Sequence, residues 1–380
     1  MCIWTCCLSC CHGVRLTRKE RQIGNQIGMR ITNRTAESFI ERPSQGTSRF
    51  FARGTPSRWW SSRENFVLNS AVSHPFLANA ARLQVLGKSP ASFYLRLNKR
   101  IWERLPSRVR NLYPVRCYGA WLHTLVCLCA RRQQYFGTFF LRNRPALELM
   151  RRLARQKAHG SILRIAVLGC SIGAEVYSIL WIIRSARPDL KVLLDGVDIS
   201  KEILSFAEKG IYAPDTSQMV NASIFERLTE TEKAKMFDWE GGQAIVKSWL
   251  REGITWHLAD AADPKLINIL GPQDAVVASN FLCHMAPADA EKCLGNITRL
   301  VRAGGYLFVS GVDLDVRTKT ALELGWEPVR ELMAEIHDGD PSVRTDWPWE
   351  WWGLEPLNRR KRDWQTRYAA VFQIASLQRQ

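Results

Sequence analysis

The chain has 380 residues, 46% hydrophobic and 23% charged. This is a globular composition, which excludes whole-chain disorder and a collagen-like fibre. The formal net charge is +17, and it is unevenly placed: residues 1–160 hold 28 Lys+Arg against 6 Asp+Glu, and residues 161–380 hold 25 against 30, which implies a basic arm or face joined to a slightly acidic domain.

The 11 cysteines are odd in number, and five of them (Cys2, Cys6, Cys7, Cys10 and Cys11) crowd the N-terminus. This is no disulfide framework, and a reducing, cytoplasmic location is expected. Cys7 and Cys10 have the spacing of half a zinc site, but no second close pair follows, so no metal is expected. Lipidation of the N-terminal cysteines stays open, although Cys2 stands where myristoylation needs glycine. Met29 is an alternative start, which would make the first 28 residues an extension. No segment reaches the roughly 18 apolar residues of a membrane span, and no basic n-region precedes the N-terminal apolar stretch of a would-be signal peptide. No nucleic-acid module is recognisable, so nucleic acid is not an expected partner. The basic N-terminal half leaves peripheral membrane contact open.

Residues 1–75 are rich in Arg, Ser, Thr and Gly, with breakers at Pro43, Gly46, Gly54 and Pro56. They read as a basic, disordered leader. Residues 76–157 read as helical. Apolar residues recur at helical spacing from Phe76 to Leu86 and again from Trp121 to Leu128, with breaks at Pro106 and Pro114. A further helix, Pro145 to Lys157, opens with proline at a tolerated position.

From residue 158 to 380 strands and helices alternate. Ile162–Gly169 is a short apolar strand, and a turn, Gly169-Cys-Ser-Ile-Gly173, leads into a helix over Glu175–Ser185. Strand Val192–Asp198 is followed by helix Lys201–Lys209. Strands Ile254–Leu258 and Ala275–Ala278, helix Ala288–Val301 and strands Tyr306–Ser310 and Tyr368–Ile374 complete the pattern. It predicts an α/β, doubly wound, Rossmann-like sheet with ligands at the C-terminal strand ends.

The glycines of the first turn would let the backbone approach a ligand, and the following helix offers free amides. Asp198 ends the second strand about 25 residues further on, where a carboxylate can accept hydrogen bonds from ribose hydroxyls. The turn lacks the Gly-x-Gly-x-x-Gly of dinucleotide sites. A ribose-bearing ligand without a pyrophosphate is favoured, and S-adenosylmethionine fits that description.

Gly169-Cys-Ser-Ile-Gly-Ala-Glu-Val-Tyr-Ser-Ile179 resembles the Ser-Thr-Gly-Glu-Glu-Pro-Tyr-Ser-Ile loop of the chemotaxis receptor methyltransferases, the CheR type. Thr138-Phe-Phe-Leu-Arg142 is similar to that family's Thr-x-Phe-Phe-Arg, Val197-Asp-Ile199 to its Ser-Asp-Ile, and Gly210-Ile-Tyr212 to its Gly-Ile-Tyr. Ser279-Asn280 stands where the family has Arg-Asn. The resemblance covers about residues 135–312. It implies a class I methyltransferase using S-adenosylmethionine, with residues 158–380 as the cofactor-binding domain.

By this resemblance Thr138 and Arg142 contact the methionyl end of the cofactor, and Gly169, Ser171 and Gly173 form its turn. Glu175 neutralises the ammonium or sulfonium, Asp198 holds the ribose, Asp260 lies near the adenine, and Asn280 lines the methyl-transfer side. Read as residues alone, Glu175 is equally a helix-start carboxylate and Asp260 a turn aspartate. Three positions depart from the family: Phe136 replaces Asn, Ser279 replaces Arg, and His284 replaces Tyr. The first expectation is methylation of a carboxylate, by resemblance a protein glutamate, in which Arg142, Asn280 and His284 act at the catalytic side. The alternatives are a small-molecule methyltransferase and a non-catalytic cofactor-binding protein. The stretch Trp347-Pro-Trp-Glu-Trp-Trp352 either walls the acceptor pocket or packs a C-terminal extension onto the sheet.

Overall fold

The computed structural model describes residues 90–129, 137–213, 224–339, 347–349 and 354–375. The expectations for the leader, the N-terminal cysteines, Phe136, Trp351 and Trp352 lie outside the described residues. Ile101–Gln380 forms the larger of two units.

Among the described residues three helices come first: α1 (Pro90–Arg104), α2 (Ser107–Arg110) and α3 (Tyr113–Cys129). Pro106 separates α1 from α2, and Pro114 sits in the first turn of α3, where its missing N–H costs nothing. Trp102, Leu122 and Leu125 are buried. Trp102 meets Trp347 and Trp349 edge-on, with ring centroids 5.9 and 6.3 Å apart. Gly119 of α3 makes room for this cluster, since a Cβ there would lie 2.6 Å from both the Trp102 and Trp347 rings. His123 Nδ1 lies 3.1 Å from the Pro348 carbonyl oxygen. The described part of the Trp-rich stretch therefore packs onto the helices.

Helix α4 (Arg144–Arg155) is capped by Asn143, whose side chain accepts a hydrogen bond from the Ala146 amide. Strand β1 (Ile162–Leu168) enters the centre of a seven-stranded sheet. There follow α5 (Ala174–Ala186), β2 (Lys191–Asp198), α6 (Lys201–Lys209) and β3 (Ile211–Tyr212). Next come α7 (Glu230–Met236), β4 (Phe237–Glu240), β5 (Gln243–Val246), α8 (Ser248–Arg251), β6 (Ile254–Leu258), α9 (Leu266–Leu270) and β7 (Gln273–Ser279). The chain continues through α10 (Pro287–Thr298), β8 (Val301–Ser310), α11 (Leu314–Glu323), β9 (Trp326–Pro328), α12 (Met333–Asp338), α13 (Trp364–Tyr368) and β10 (Val371–Ile374).

The strand order is β6-β2-β1-β7-β8-β10-β9. The first five run parallel, and β10 pairs antiparallel with both β8 and β9. Side chains of β1 alternate between two cores: Leu163, Ile165 and Val167 join one, and Ala166 and Leu168 the other. That is why this strand reads as an unbroken apolar run: it is covered on both faces. The chain passes from β1 to β2 on one side and later to β7 on the other. The C-terminal end of β1 is thus the topological switch point where doubly wound sheets bind ligands.

Two boundaries differ from the sequence expectation. Helix α10 stops at Thr298, and Val301 already belongs to β8, which runs through Gly304-Gly305. A glycine pair ordinarily marks a helix end. In the structure β8 bulges here: Gly304 takes φ 74°, the β7–β8 register shifts between Gln273 and Ala275, and Asp274 accepts from the Arg164 amide (2.8 Å) and pairs with Lys157 and Arg302. Tyr368 closes a helix and does not open a strand. A separate three-stranded antiparallel sheet, β3-β5-β4, was not anticipated. Its strands have two to four residues, too short for an alternation signal, and Gly241-Gly242 makes its hairpin turn with positive φ at both positions.

Candidate functional site

The turn after β1 carries positive φ at Gly169 (65°), Ser171 (49°) and Gly173 (86°). Gly173 is the N-cap of α5 and makes no side-chain cap bond, and the positive end of the helix dipole faces the strand ends. The two glycines serve this turn by conformation. A Cβ on Gly169 would lie 2.9 Å from the Phe281 ring, and one on Gly173 would lie 3.1 Å from Ala207 Cβ. On their Cα side both face the protein's own side chains.

Asp198 ends β2 and is buried. Its Oδ2 accepts from the Ser171 amide at 2.9 Å, and its Oδ1 accepts from the Ser200 amide at 3.1 Å. Each carboxylate oxygen has two acceptor sites. One site per oxygen therefore remains, the number a ribose diol requires. One carboxylate thus ties the turn after β1 to the start of α6.

Two tyrosines brace the same turn. Tyr212 of β3 donates from its hydroxyl to the Ile172 carbonyl at 2.6 Å, and Tyr177 of α5 donates to the Ala207 carbonyl at 2.6 Å. Burial pushes the Tyr212 hydroxyl well above its ordinary pKa, so it stays a neutral donor. Gly210 closes α6 with φ 61°, and a Cβ there would lie 3.0 Å from the Tyr177 hydroxyl. The Gly210-Ile-Tyr212 motif is thereby explained: the glycine permits the tight helix end, and the tyrosine holds the cofactor turn.

Thr138 and Arg142 lie on a segment laid across α5. The Leu141 amide donates to Ser178 Oγ at 3.0 Å, and Ser178 in turn donates to the Ala174 carbonyl at 2.6 Å. Phe140 anchors the segment in an aromatic cluster with Tyr212, Phe225 and Phe237. Thr138 is buried. The Arg142 guanidinium sits 5.7 Å from the Phe139 ring centroid and donates to the Gly137 carbonyl at 3.4 Å. Glu175 lies half-buried in the first turn of α5, one turn before Ser178.

Asp260 follows β6 and is exposed. Its Oδ1 accepts from the Ala262 amide at 2.8 Å, so it also fills the turn role weighed for it. The Ala259 amide bonds the Asp198 carbonyl at 3.1 Å, which keeps this turn beside the end of β2. Asn280 follows β7 with φ 58°, and its amide donates to the Ser310 carbonyl at 3.0 Å. His284 closes a short 3₁₀ turn, Leu282–His284, directly beyond it.

Gly311, absent from the sequence expectations, fixes Asn280. A Cβ there would lie 2.5 Å from Asn280 Cα and collide with its Oδ1. Phe281, which seats on Gly169, was also missed. The only sequence cue for Gly311 is a glycine directly after an apolar strand. The turn after β1, Asp198, Asp260 and Asn280 all lie at the C-terminal edge of the parallel strands, and the Thr138–Arg142 segment packs on the helix that starts there. A glycine turn at a helix N-terminus, a buried carboxylate with spare acceptor sites and an arginine suit S-adenosylmethionine, which brings a diol and a carboxylate.

The family model described as CheR methyltransferase, SAM binding domain, matches residues 137–321. An uncharacterized 104.1 kDa protein in the hypE 3' region of Rhodobacter capsulatus is 27% identical over 199 residues, covering 49% of this chain and 19% of that protein. The probable biofilm formation methyltransferase WspC of Pseudomonas aeruginosa is 24% identical over 191 residues, covering 49% of this chain and 43% of WspC. The chain thus spans less than half the length of either relative. Among solved structures, the magnesium protoporphyrin IX methyltransferase ChlM of Synechocystis PCC 6803 with bound SAM is 17% identical, with a TM-score of 0.29, covering 49% of this chain and 69% of that one. The sequence motifs, the doubly wound sheet and the family match converge: residues 137–321 are a CheR-type, S-adenosylmethionine-binding methyltransferase domain.

Proposed function

We propose that this chain methylates a carboxylate, by resemblance a glutamate of a protein. The supporting observation is the CheR-type cofactor framework, with Asp198 holding the turn after β1 and Asn280 fixed by Gly311 at the neighbouring strand end. S-adenosylmethionine supplies a methyl group already activated on a sulfonium, so the carboxylate oxygen needs only an in-line approach. An oxygen–carbon bond forms as the sulfur–carbon bond breaks, and S-adenosylhomocysteine leaves.

The protein's part is orientation, which supplies ~7–11 kcal/mol in well-aligned systems. Asp198 binds the ribose, and Thr138 and Arg142 bind the methionyl end. Asn280 lines the path of the acceptor, and His284 orients it. A carboxylate is already nucleophilic near neutral pH, so this chemistry needs no base.

Ser279 and His284 support a second reading, a small-molecule acceptor whose hydroxyl or amine loses a proton to His284. Incubation with methyl-labelled cofactor and host extract identifies the labelled molecule. Single-turnover transfer against pH then separates the readings. For a carboxylate, His284→Gln costs little and no step appears near a histidine pKa. A step that vanishes in the variant, with a loss of about a hundredfold or more, overturns the carboxylate reading.

A further inference from the structure

The sequence places the basic excess in the N-terminal half, yet the fold adds cations from the other half to it. Arg359-Arg360-Lys361-Arg362 follows the Trp-rich stretch, within residues 161–380, which carry more acidic than basic groups. Arg116 of α3 donates from Nη2 to the Pro356 and Leu357 carbonyls at 2.8 and 3.0 Å, fastening that segment to the start of α3. The Arg360 guanidinium then lies 5.4 Å from the Tyr113 ring centroid. Lys361 is turned inward to Glu355. Arg359, Arg360 and Arg362 remain at the surface, and Arg108 of α2 is exposed close by in sequence.

Tyr113, beside Arg360, and Leu112, its neighbour in sequence, are 54% and 55% exposed. Of the nearby carboxylates, Glu355 is buried and already accepts from Arg367, Lys361 and Tyr368, and Asp363 is half-buried at the N-cap of α13. The surface therefore combines cations with a projecting leucine and tyrosine. An anionic lipid surface satisfies both, because headgroups pair with guanidinium groups while the boundary region takes up apolar side chains. Nucleic acid would pair with the arginines and stack on Tyr113, but it offers Leu112 no apolar phase.

We propose that Arg108, Leu112, Tyr113, Arg359, Arg360 and Arg362 form a docking surface for an anionic membrane. It stands independently of the acceptor reading. The test is sedimentation of the full chain with vesicles of phosphatidylcholine alone and of phosphatidylcholine with phosphatidylserine. All proteins keep the basic N-terminal residues, so differences read this surface alone.

Binding is expected for the anionic vesicles and not for the neutral ones. Arg359→Glu with Arg360→Glu is expected to weaken it at least about tenfold, at about a kcal/mol per cation near the surface. Leu112→Ser with Tyr113→Ser is expected to weaken it several-fold. Calorimetric binding of S-adenosylhomocysteine checks that each variant is folded. Wild-type vesicle binding by either folded double variant overturns the proposal. So does tighter binding of a short DNA duplex or polyglutamate that ignores Leu112→Ser with Tyr113→Ser.

Discussion

Asp198→Ala removes an acceptor from two backbone amides and, in the proposed cofactor site, from the ribose. The Ser171 and Ser200 amides bond its two oxygens at 2.9 and 3.1 Å, in a site where Asp198 is 5% exposed. Hydrogen bonds to a charged partner contribute ~1.5–3 kcal/mol each, and an orphaned buried donor costs a comparable amount. The two bonds share one side chain and are not additive, so the expected stability loss is about 3–4 kcal/mol, a large share of the ~5–15 kcal/mol of a typical domain. Cofactor affinity falls for a separate reason. Losing the ribose contacts costs at least about 1.4 kcal/mol, or tenfold. Asp198→Asn keeps the volume and one oxygen, so it should lose about half the stability while its NH₂ opposes a remaining amide donor. Urea unfolding gives the first quantity, and calorimetric titration with S-adenosylhomocysteine on folded protein gives the second. If folded Asp198→Ala binds within about twofold of wild type, Asp198 does not hold the ribose and the placement of the cofactor is wrong.

Gly311→Ala puts a Cβ 2.5 Å from Asn280 Cα at a φ of 59°, so Asn280 must move. Methyl transfer to the acceptor found by labelling should fall about ten- to a hundredfold, with S-adenosylhomocysteine binding within a few-fold; an unchanged rate would remove Asn280 from the acceptor side. Burial pushes the Glu355 carboxyl up, but Arg367, Lys361 and Tyr368 outweigh it and hold its pKa at about 2, below the ordinary 4.5. A depressed folded pKa gives stability that is complete above about pH 4.5 and lost as pH falls toward about 2. Glu355→Gln should therefore cost roughly 3 kcal/mol at pH 7, at ~1.36 kcal/mol per pKa unit, and flatten the acid limb of a chemical-denaturation series; an identical pH slope in the variant would refute the coupling.

Several parts of this molecule are written locally. Strand β1 and Asp198 at the end of β2 are legible because a doubly covered strand is an unbroken apolar run and because a cofactor turn needs its glycines at fixed spacing. Helix α6 matched its expected bounds, since Ser200 caps its start, bonding the Ile203 amide, and Gly210 ends it with φ 61°. The family motifs also lie in order along the chain, within the residues that the family model matches.

Other features depend on residues far apart in sequence, and no local pattern encodes them. Tyr212 braces Ile172 from 40 residues away, and Gly311 fixes Asn280 only because β7 and β8 lie side by side. The short strands β3, β4 and β5 are defined by pairing with one another, since two to four residues carry no periodic signal. The Trp-rich stretch reads as walling a pocket or packing onto the sheet; Trp347 and Trp349 instead pack onto the helices, where Trp102 and Gly119, more than 200 residues upstream, receive them. Arg360 likewise meets Tyr113 across the fold, from almost 250 residues away in sequence. Periodicity and capping are short-range properties that a sequence states directly; burial and charge clustering arise only when distant segments are brought together.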